Sequence, residues 1–541
     1  MNHVRPVKCY TPSIMNPNEV VQRIRRKDAS LWKSDDDNAK IIRNSLGWLT
    51  VADEMLGAVP ELVAFADEVR NRGFQHVMVC GIGGSSLCPE VLARTFGKQP
   101  GFPELHVLDS TDPDVIADFR ERIDIDRCLF VVASKSGSTT EPNAFYKFWY
   151  EELKQRGDDP GANFIAITDP GSPLVQTAAD LKFQRTFLNQ PDIGGRYSAL
   201  SYFGLVPAAL MGLDIQRLLE GASRAAKAEG GAADLGLAIG EYANKGRDKL
   251  TLVIDLQIET LGLWIEQLIA ESTGKEGKGI LPVNAEPLGK PGVYENDRLF
   301  VSISVGQISE RTHEQLEALS LAGHSILYRE LAGIYDLGAE FFEWEFATAC
   351  AGWRLGINPF DQPNVQEAKD ATKALLGKGD SAPPSGDEVI SIYGREDASV
   401  AEALKAHLAS IKPGDYIAFL NYMEETPEID SRFQELRVRL RDQTKCAVTI
   451  GYGPRYLHST GQLHKGGPDT GVFFHIVADD QTDFDVPGES YSFGTLKRAQ
   501  ALGDYRALVD RGRRVIGIQL GRDTLQALES LSHGIAQILS G

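Results

Sequence analysis

Short apolar runs that end in a glycine or hydroxyl turn and lead into a helix recur through this chain. That alternation limits it to one broad class. Residues 76–80 form such a run, closed by Gly81 and followed by a helical stretch at 89–96. Further strand candidates at 105–108, 128–133 and 163–168 each precede helical periodicity. Continuous apolar strands alternating with helices predict an α/β fold: open, mostly parallel, doubly wound sheets with helices on both faces.

At roughly 100–200 residues per domain, 541 residues predict about three domains. Residues 1–70 read as an N-terminal helical segment, with apolar residues near helical spacing at 20–32, 41–51 and 53–69. A first α/β unit is expected over 71–229. A second, over 230–377, has strands at 249–255, 299–305 and 325–328 and helices at 261–270 and 339–355. The stretch 378–387, rich in Gly, Pro, Ser and Asp, reads as a linker. A third α/β unit is expected over 385–541, with strands at 389–393, 416–420, 446–451, 472–477 and 514–520. Its helices are expected at 401–410, 431–441, 496–510 and 523–539.

The formal net charge of −19, from 56 basic and 75 acidic residues, argues against a general binder of nucleic acid or anionic membrane. A small anionic ligand needs only local positive charge. No secretory signal and no apolar run of about 18 residues is seen, so the expected location is cytoplasmic. The six cysteines are scattered and fit buried, reduced thiols better than a disulfide framework. No His/Cys clustering points to a metal, Cys80 and Cys88 included.

Two loops carry the first functional signal. Gly81-Ile82-Gly83-Gly84-Ser85-Ser86 lies between a strand and a helix, where glycines allow close backbone approach and a helix N-terminus favours an anion. Many such turns use glycine only to turn. Ser134-Lys135-Ser136-Gly137-Ser138-Thr139-Thr140 also follows a strand. A capped helix start needs one hydroxyl, and five with a lysine are more than capping requires. The candidate phosphate contacts are Gly84, Ser85, Ser134, Lys135, Ser136, Ser138 and Thr139. The P-loop pattern is absent, so a nucleoside triphosphate is not the expected ligand.

GIGGSS at 81–86 with SKSGSTTEP at 134–142 resembles the sugar-isomerase (SIS) domains that bind phosphosugars. Further motifs are GGRYS at 194–198, ESTGK at 271–275 and NPFDQP at 358–363, with Lys369 beyond. Together, in this order, they resemble the glucose-6-phosphate isomerase family over residues 75 to about 375. The likeness is greatest to the isomerase half of bifunctional transaldolase/glucose-6-phosphate isomerase chains, although no segment is left over for a transaldolase barrel. The resemblance implies two SIS domains and a phosphosugar substrate. It implies interconversion of glucose 6-phosphate and fructose 6-phosphate through a cis-enediol(ate), without metal or organic cofactor.

The resemblance also implies roles. Glu271, in ESTGK, is carried over as the base that moves a proton between C2 and C1; a partly shielded carboxylate suits that task. Its bland alternative is an exposed carboxylate at a helix end, where the dipole is unfavourable. Arg196 would stabilise the enediolate, since a guanidinium stays protonated; the alternative is a structural salt bridge. Gln267, one turn before Glu271, and Gln362 match substrate-side positions. Lys369 matches the family's ring-opening lysine. Asn364 and Gln366 depart from the usual glycine and glutamate of that motif.

The family's ring-opening histidine belongs between the base and DQP, where this chain has only His313 and His324. The better match, Tyr456-Leu457-His458-Ser459-Thr460-Gly461-Gln462-Leu463-His464, comes after DQP. His458 is therefore the expected residue, delivered by the C-terminal unit, with His324 as its rival and His464 as a hydrogen-bonding partner. The family is homodimeric and borrows its histidine across subunits; a histidine in cis would allow a monomer. Two other functions stand beside this reading: a dual phosphoglucose/phosphomannose isomerase, shaped around Thr140 and Glu141, and a non-catalytic phosphosugar sensor. The sensor would not need Glu271, Arg196 and Lys369 in motif context, and no nucleic-acid-binding module is seen. The cations Lys135, Arg196, Lys275 and Lys369 lie in or beside the motifs, a local charge opposite to that of the whole chain.

Overall fold

The computed structural model describes residues 16–157, 159–228, 230–364, 372, 375–376, 389–394 and 399–540. The expected linker at 378–387, Lys369 and Gln366 lie outside them.

Three sheets organise the chain. In the first, β1 (His76–Cys80), β2 (Glu104–Leu108), β3 (Cys128–Ala133), β4 (Phe164–Thr168) and β5 (Arg185–Leu188) stand in the order β2-β1-β3-β4-β5, all parallel. Every residue of β3 and β4 is buried, as a strand covered on both faces requires. The second sheet holds β6 (Lys249–Ile254), β7 (Leu281–Val283), β8 (Arg298–Val305) and β9 (Ser325–Leu331) in the order β7-β6-β8-β9, again parallel. The third holds β10 (Ile390–Tyr393), β11 (Tyr416–Tyr422), β12 (Ala447–Tyr452), β13 (Gly471–Ala478) and β14 (Arg514–Leu520). Its order is β10-β14-β13-β11-β12, with only β10 antiparallel. The three sheets fall within 71–229, 230–377 and 385–541. This is the mixed α/β, mostly parallel architecture that the alternation predicts.

Several expectations need correction. The N-terminal segment is more broken than its periodicity suggests, with helices Pro17–Arg25, Asp36–Arg43, Val51–Leu56 and Val59–Asn71; short 3-10 turns stand between the first three, and residues 57–58 break the last two. β5 and β7 were not anticipated. β5 is a short, partly exposed edge, and β7 is an edge strand carrying Pro282, which only an edge tolerates. The helix expected at 261–270 continues to Thr273.

The N-terminal segment has a positioning task. Trp32 donates its indole N–H to the Ala349 carbonyl (2.8 Å) in the central Leu337–Leu355 helix. Buried Trp48 stacks on Tyr197 at 5.5 Å between ring centroids, bracing the turn that carries Arg196. The five described cysteines are buried free thiols.

Candidate active site

In the order β2-β1-β3, the chain leaves β1 and β3 in opposite directions, opening a crevice at their carboxyl ends. Both motif loops begin there. Gly83 has φ +59°, and a Cβ on it would lie 2.9 Å from Gln267 Nε2 and 3.0 Å from the His458 Cβ. A Cβ on Gly84 would lie 2.0 Å from the Gly195 carbonyl oxygen. These glycines let the first loop, the GGRYS turn, the helix bearing Gln267 and the His458 segment converge, and any side chain would separate them.

Glu271 sits in the last turn of the Leu261–Thr273 helix and is 7% exposed. A carboxylate is disfavoured by the dipole there. The Arg196 guanidinium opposes that penalty, with Nη1 3.3 Å from Glu271 Oε1. Gln267 Nε2 donates to Glu271 Oε2 (3.2 Å) and to the His458 carbonyl (2.7 Å). The i, i+4 spacing that puts Gln267 and Glu271 on one face thus also ties the base to the C-terminal unit.

Arg196 is 3% exposed, and its fork is nearly saturated. It donates to Ser272 Oγ (2.7 Å), Gln362 Oε1 (2.9 Å), the Pro359 carbonyl (2.7 Å) and the Asp361 carbonyl (3.0 Å). One cation therefore joins the GGRYS, ESTGK and DQP segments. Buried Lys275 donates to both the side chain (2.6 Å) and the carbonyl of Asp361. Burial, with Arg196 nearby, lowers its pKa to about 8 despite Asp361.

Ser136 and Ser138 hydroxyls are 3.1 Å apart, and Ser134 donates to Thr139 (3.3 Å) at the start of the Thr140–Gln155 helix. Gly137 supplies the turn with φ +65°. Lys135 is not free: it bonds Asp169 and the Pro191 carbonyl (3.0 Å). Ser85 lies in the 3-10 turn Gly83–Ser85.

The family model described as phosphoglucose isomerase matches residues 67–278. A glucose-6-phosphate isomerase of Rubrobacter xylanophilus is 31% identical over 369 residues, covering 58% of this chain and 85% of its own. One from Clostridium novyi is 30% identical over 373 residues, with 58% and 82% covered. The chain belongs to the glucose-6-phosphate isomerase family. A solved glucose-6-phosphate isomerase from Chlamydia trachomatis shares the fold at 20% identity, with a TM-score of 0.51 over 71% of this chain and 82% of its own.

Against that family background, the position of the histidine stands out. His458 lies in the 3-10 turn Arg455–His458, its carbonyl on Gln267 and its Nε2 3.4 Å from Glu141 Oε1. His324 instead packs edge-on to Tyr294 and Phe300 in a small apolar cluster, and His313 is exposed on the Glu310–Leu321 helix. His464 is buried and bonds Tyr416 Oη (2.8 Å), with its pKa lowered to about 3 by burial.

The C-terminal unit is anchored from both sides. Arg455 forms a two-pronged pair with Asp109 (2.9 and 3.0 Å), and Lys497 bonds Asp112 (2.9 Å). Gln462 donates to the Gly274 carbonyl (2.9 Å) and Asn364 Oδ1 (2.7 Å), and accepts from Asn364 N (2.9 Å). The departure from the family pattern at Asn364 thus has a structural use: its side chain clasps the HSTGQ segment.

Sequence reasoning considered Glu141 only for substrate choice and missed Gln500. Glu141 accepts from Gln500 Nε2 (2.6 Å), while Gln500 Oε1 accepts from Thr111 (2.6 Å), all buried. The SKSGSTTEP motif pointed at Glu141, whereas nothing local marks Gln500.

Proposed function

We propose that this chain is an aldose–ketose isomerase that interconverts glucose 6-phosphate and fructose 6-phosphate, the glycolytic and gluconeogenic reaction of its family. The observation that carries this reading is the convergence of Glu271, Arg196, Gln267, Gln362 and His458 on the crevice where both motif loops begin. Those loops, with the hydroxyls of Ser134, Ser136, Ser138 and Thr139, the backbone at Gly84 and Ser85, and Lys135, hold the phosphate. His458, oriented by Glu141, takes and returns a hydroxyl proton as the sugar ring opens, and Lys369 assists at the ring oxygen. Glu271 then removes the proton from C2 and delivers it to C1. The buried Arg196 charge, its own donors held by protein acceptors, favours through space the negative charge that develops on the enediolate oxygen between the two transfers. Gln267 and Gln362 fix the base and the guanidinium.

The sensor alternative is not favoured, because a binding module needs no buried carboxylate paired with a guanidinium beside its ligand. Among the described residues, Glu271, Arg196, Gln267, Gln362 and His458 meet within one chain, which supports a site complete in the monomer. A coupled assay from fructose 6-phosphate tests the reading: wild type is active, and wild-type turnover at background overturns it.

A further inference from the structure

At the other end of the first sheet, away from the motif loops, three metal-ligating side chains meet. The parallel register sets His76 of β1 beside Glu104 of β2 and Met78 beside His106. Alternation along β2 then puts Glu104 and His106 on the face that His76 shares. His76 Nδ1 and His106 Nε2 are 3.1 Å apart, at hydrogen-bond distance, and one ligand atom from each of His76, Glu104 and His106 lies within 4.8 Å of the other two. All three side chains are partly exposed, so an ion can reach them. β1 begins at His76, so the cluster stands at the amino ends of the strands whose carboxyl ends lead into Gly81 and Asp109.

The spacing and the donor types point the same way. Zinc–imidazole bonds of about 2.0–2.1 Å in a tetrahedron give a nitrogen–nitrogen edge of about 3.3 Å, close to the separation seen. Two imidazoles and one carboxylate suit zinc-type ions, while magnesium and calcium prefer all-oxygen sets. The nearest competitor for Glu104 is Lys98, 3.7 Å away with its side chain 56% exposed, and an exposed pair of that kind holds a carboxylate weakly. A cluster of three carboxylates among the described residues, Asp112, Asp114 and Asp480, makes a contrast: the Lys497 ammonium pairs with both Asp112 and Asp480 and fills the cation's place.

We propose that His76, His106 and Glu104 form a binding site for one zinc-type divalent transition-metal ion, with water as the fourth ligand. The site is independent of the isomerase reading. It staples β1 to β2 below the catalytic crevice, so its effect falls on stability rather than turnover.

Calorimetric titration of the full chain, stripped with chelator and then titrated with Zn²⁺, tests this. Wild type is expected to bind one equivalent more than a His76→Ala/His106→Ala variant. Zn²⁺ should raise the thermal midpoint of wild type only, and isomerase turnover should be the same in both. Co²⁺ should give the intense visible bands of a tetrahedral site in wild type and lose them in the variant. Equal stoichiometry and affinity in the two proteins, or cobalt bands that survive the substitutions, overturn the proposal. If the double variant does not fold, His106→Gln replaces it, since an amide keeps a polar contact to His76 but is a poor zinc ligand.

Discussion

The first and second sheets follow one plan, β2-β1-β3-β4 against β7-β6-β8-β9, but they serve the site with opposite parts. The first sheet offers its carboxyl-end loops, rich in glycine and hydroxyls. The second offers the far end of the helix that follows β6, where Gln267 and Glu271 sit. At the second sheet's own carboxyl ends there is a cleft of about 790 Å³ whose lining carries six carboxylates, Asp255, Glu259, Glu266, Glu286, Glu425 and Asp430, against three arginines, Arg311, Arg437 and Arg455. Burial there pushes Glu266 up to about 7. Equal topology makes two crevices; loop chemistry decides which of them suits a dianionic phosphate. On the proposed function, binding falls to one repeat and proton transfer to the other.

That division can be broken by kinetics. Glu271→Gln should lower kcat by about 10²–10⁴-fold, the usual worth of a general base, with little change in KM. A change in KM alone would erase the distinction between the repeats. Gln462→Leu should destabilise the fold by about 1–3 kcal/mol, because it strips partners from the buried Asn364 amide and Gly274 carbonyl. Denaturant unfolding measures it, and an unchanged midpoint would mean that the clasp between the second repeat and the C-terminal unit carries no load. Lys135→Ala should raise KM by about tenfold at unchanged kcat, since an ammonium–phosphate contact is worth about 1.5–3 kcal/mol and this one is shared with Asp169.

The smallest effect concerns pH. Lys275, held near pKa 8, loses its proton above that pH and releases Asp361, which shares the DQP turn with Arg196. Activity should therefore fall with an apparent pKa near 8, and Lys275→Arg should move that limb upward because a guanidinium stays charged. Stability runs the other way. An unfolded lysine keeps its proton to about 10.4, so between about 8 and 10.4 the unfolded chain holds more protons and this group's contribution rises with pH. An identical alkaline limb in the variant would remove Lys275 from this role.

What the sequence reveals follows the range of the interactions. Strands β1 to β4 of the first sheet and the two loops are legible because strand burial and turn chemistry are local. Helix 261–273 ran past its expected end because ESTGK reads as a turn, yet Gly274 is the residue that stops it. β7 was hidden by Pro282 and β5 by its half-exposed edge. The contacts that make the site were harder to see. His458 meets Glu141 across 317 residues, and Gln500 meets Glu141 across 359. His458 was found only through a motif displaced in chain order, and Gln500, with no motif, was not found. Lys275 was noted for its charge, but its pairing with Asp361 depends on the packing of two distant turns.

On the proposed function, one chain assembles the site, with His458 delivered in cis to Glu271. Mixing denatured Glu271→Gln and His458→Asn chains, refolding them together and assaying fructose 6-phosphate isomerisation tests it most directly. In this account each chain carries its own defect, and the mixture stays as inactive as its parents. Recovery of activity well above either parent would show that the base and the histidine come from different chains, contradicting it.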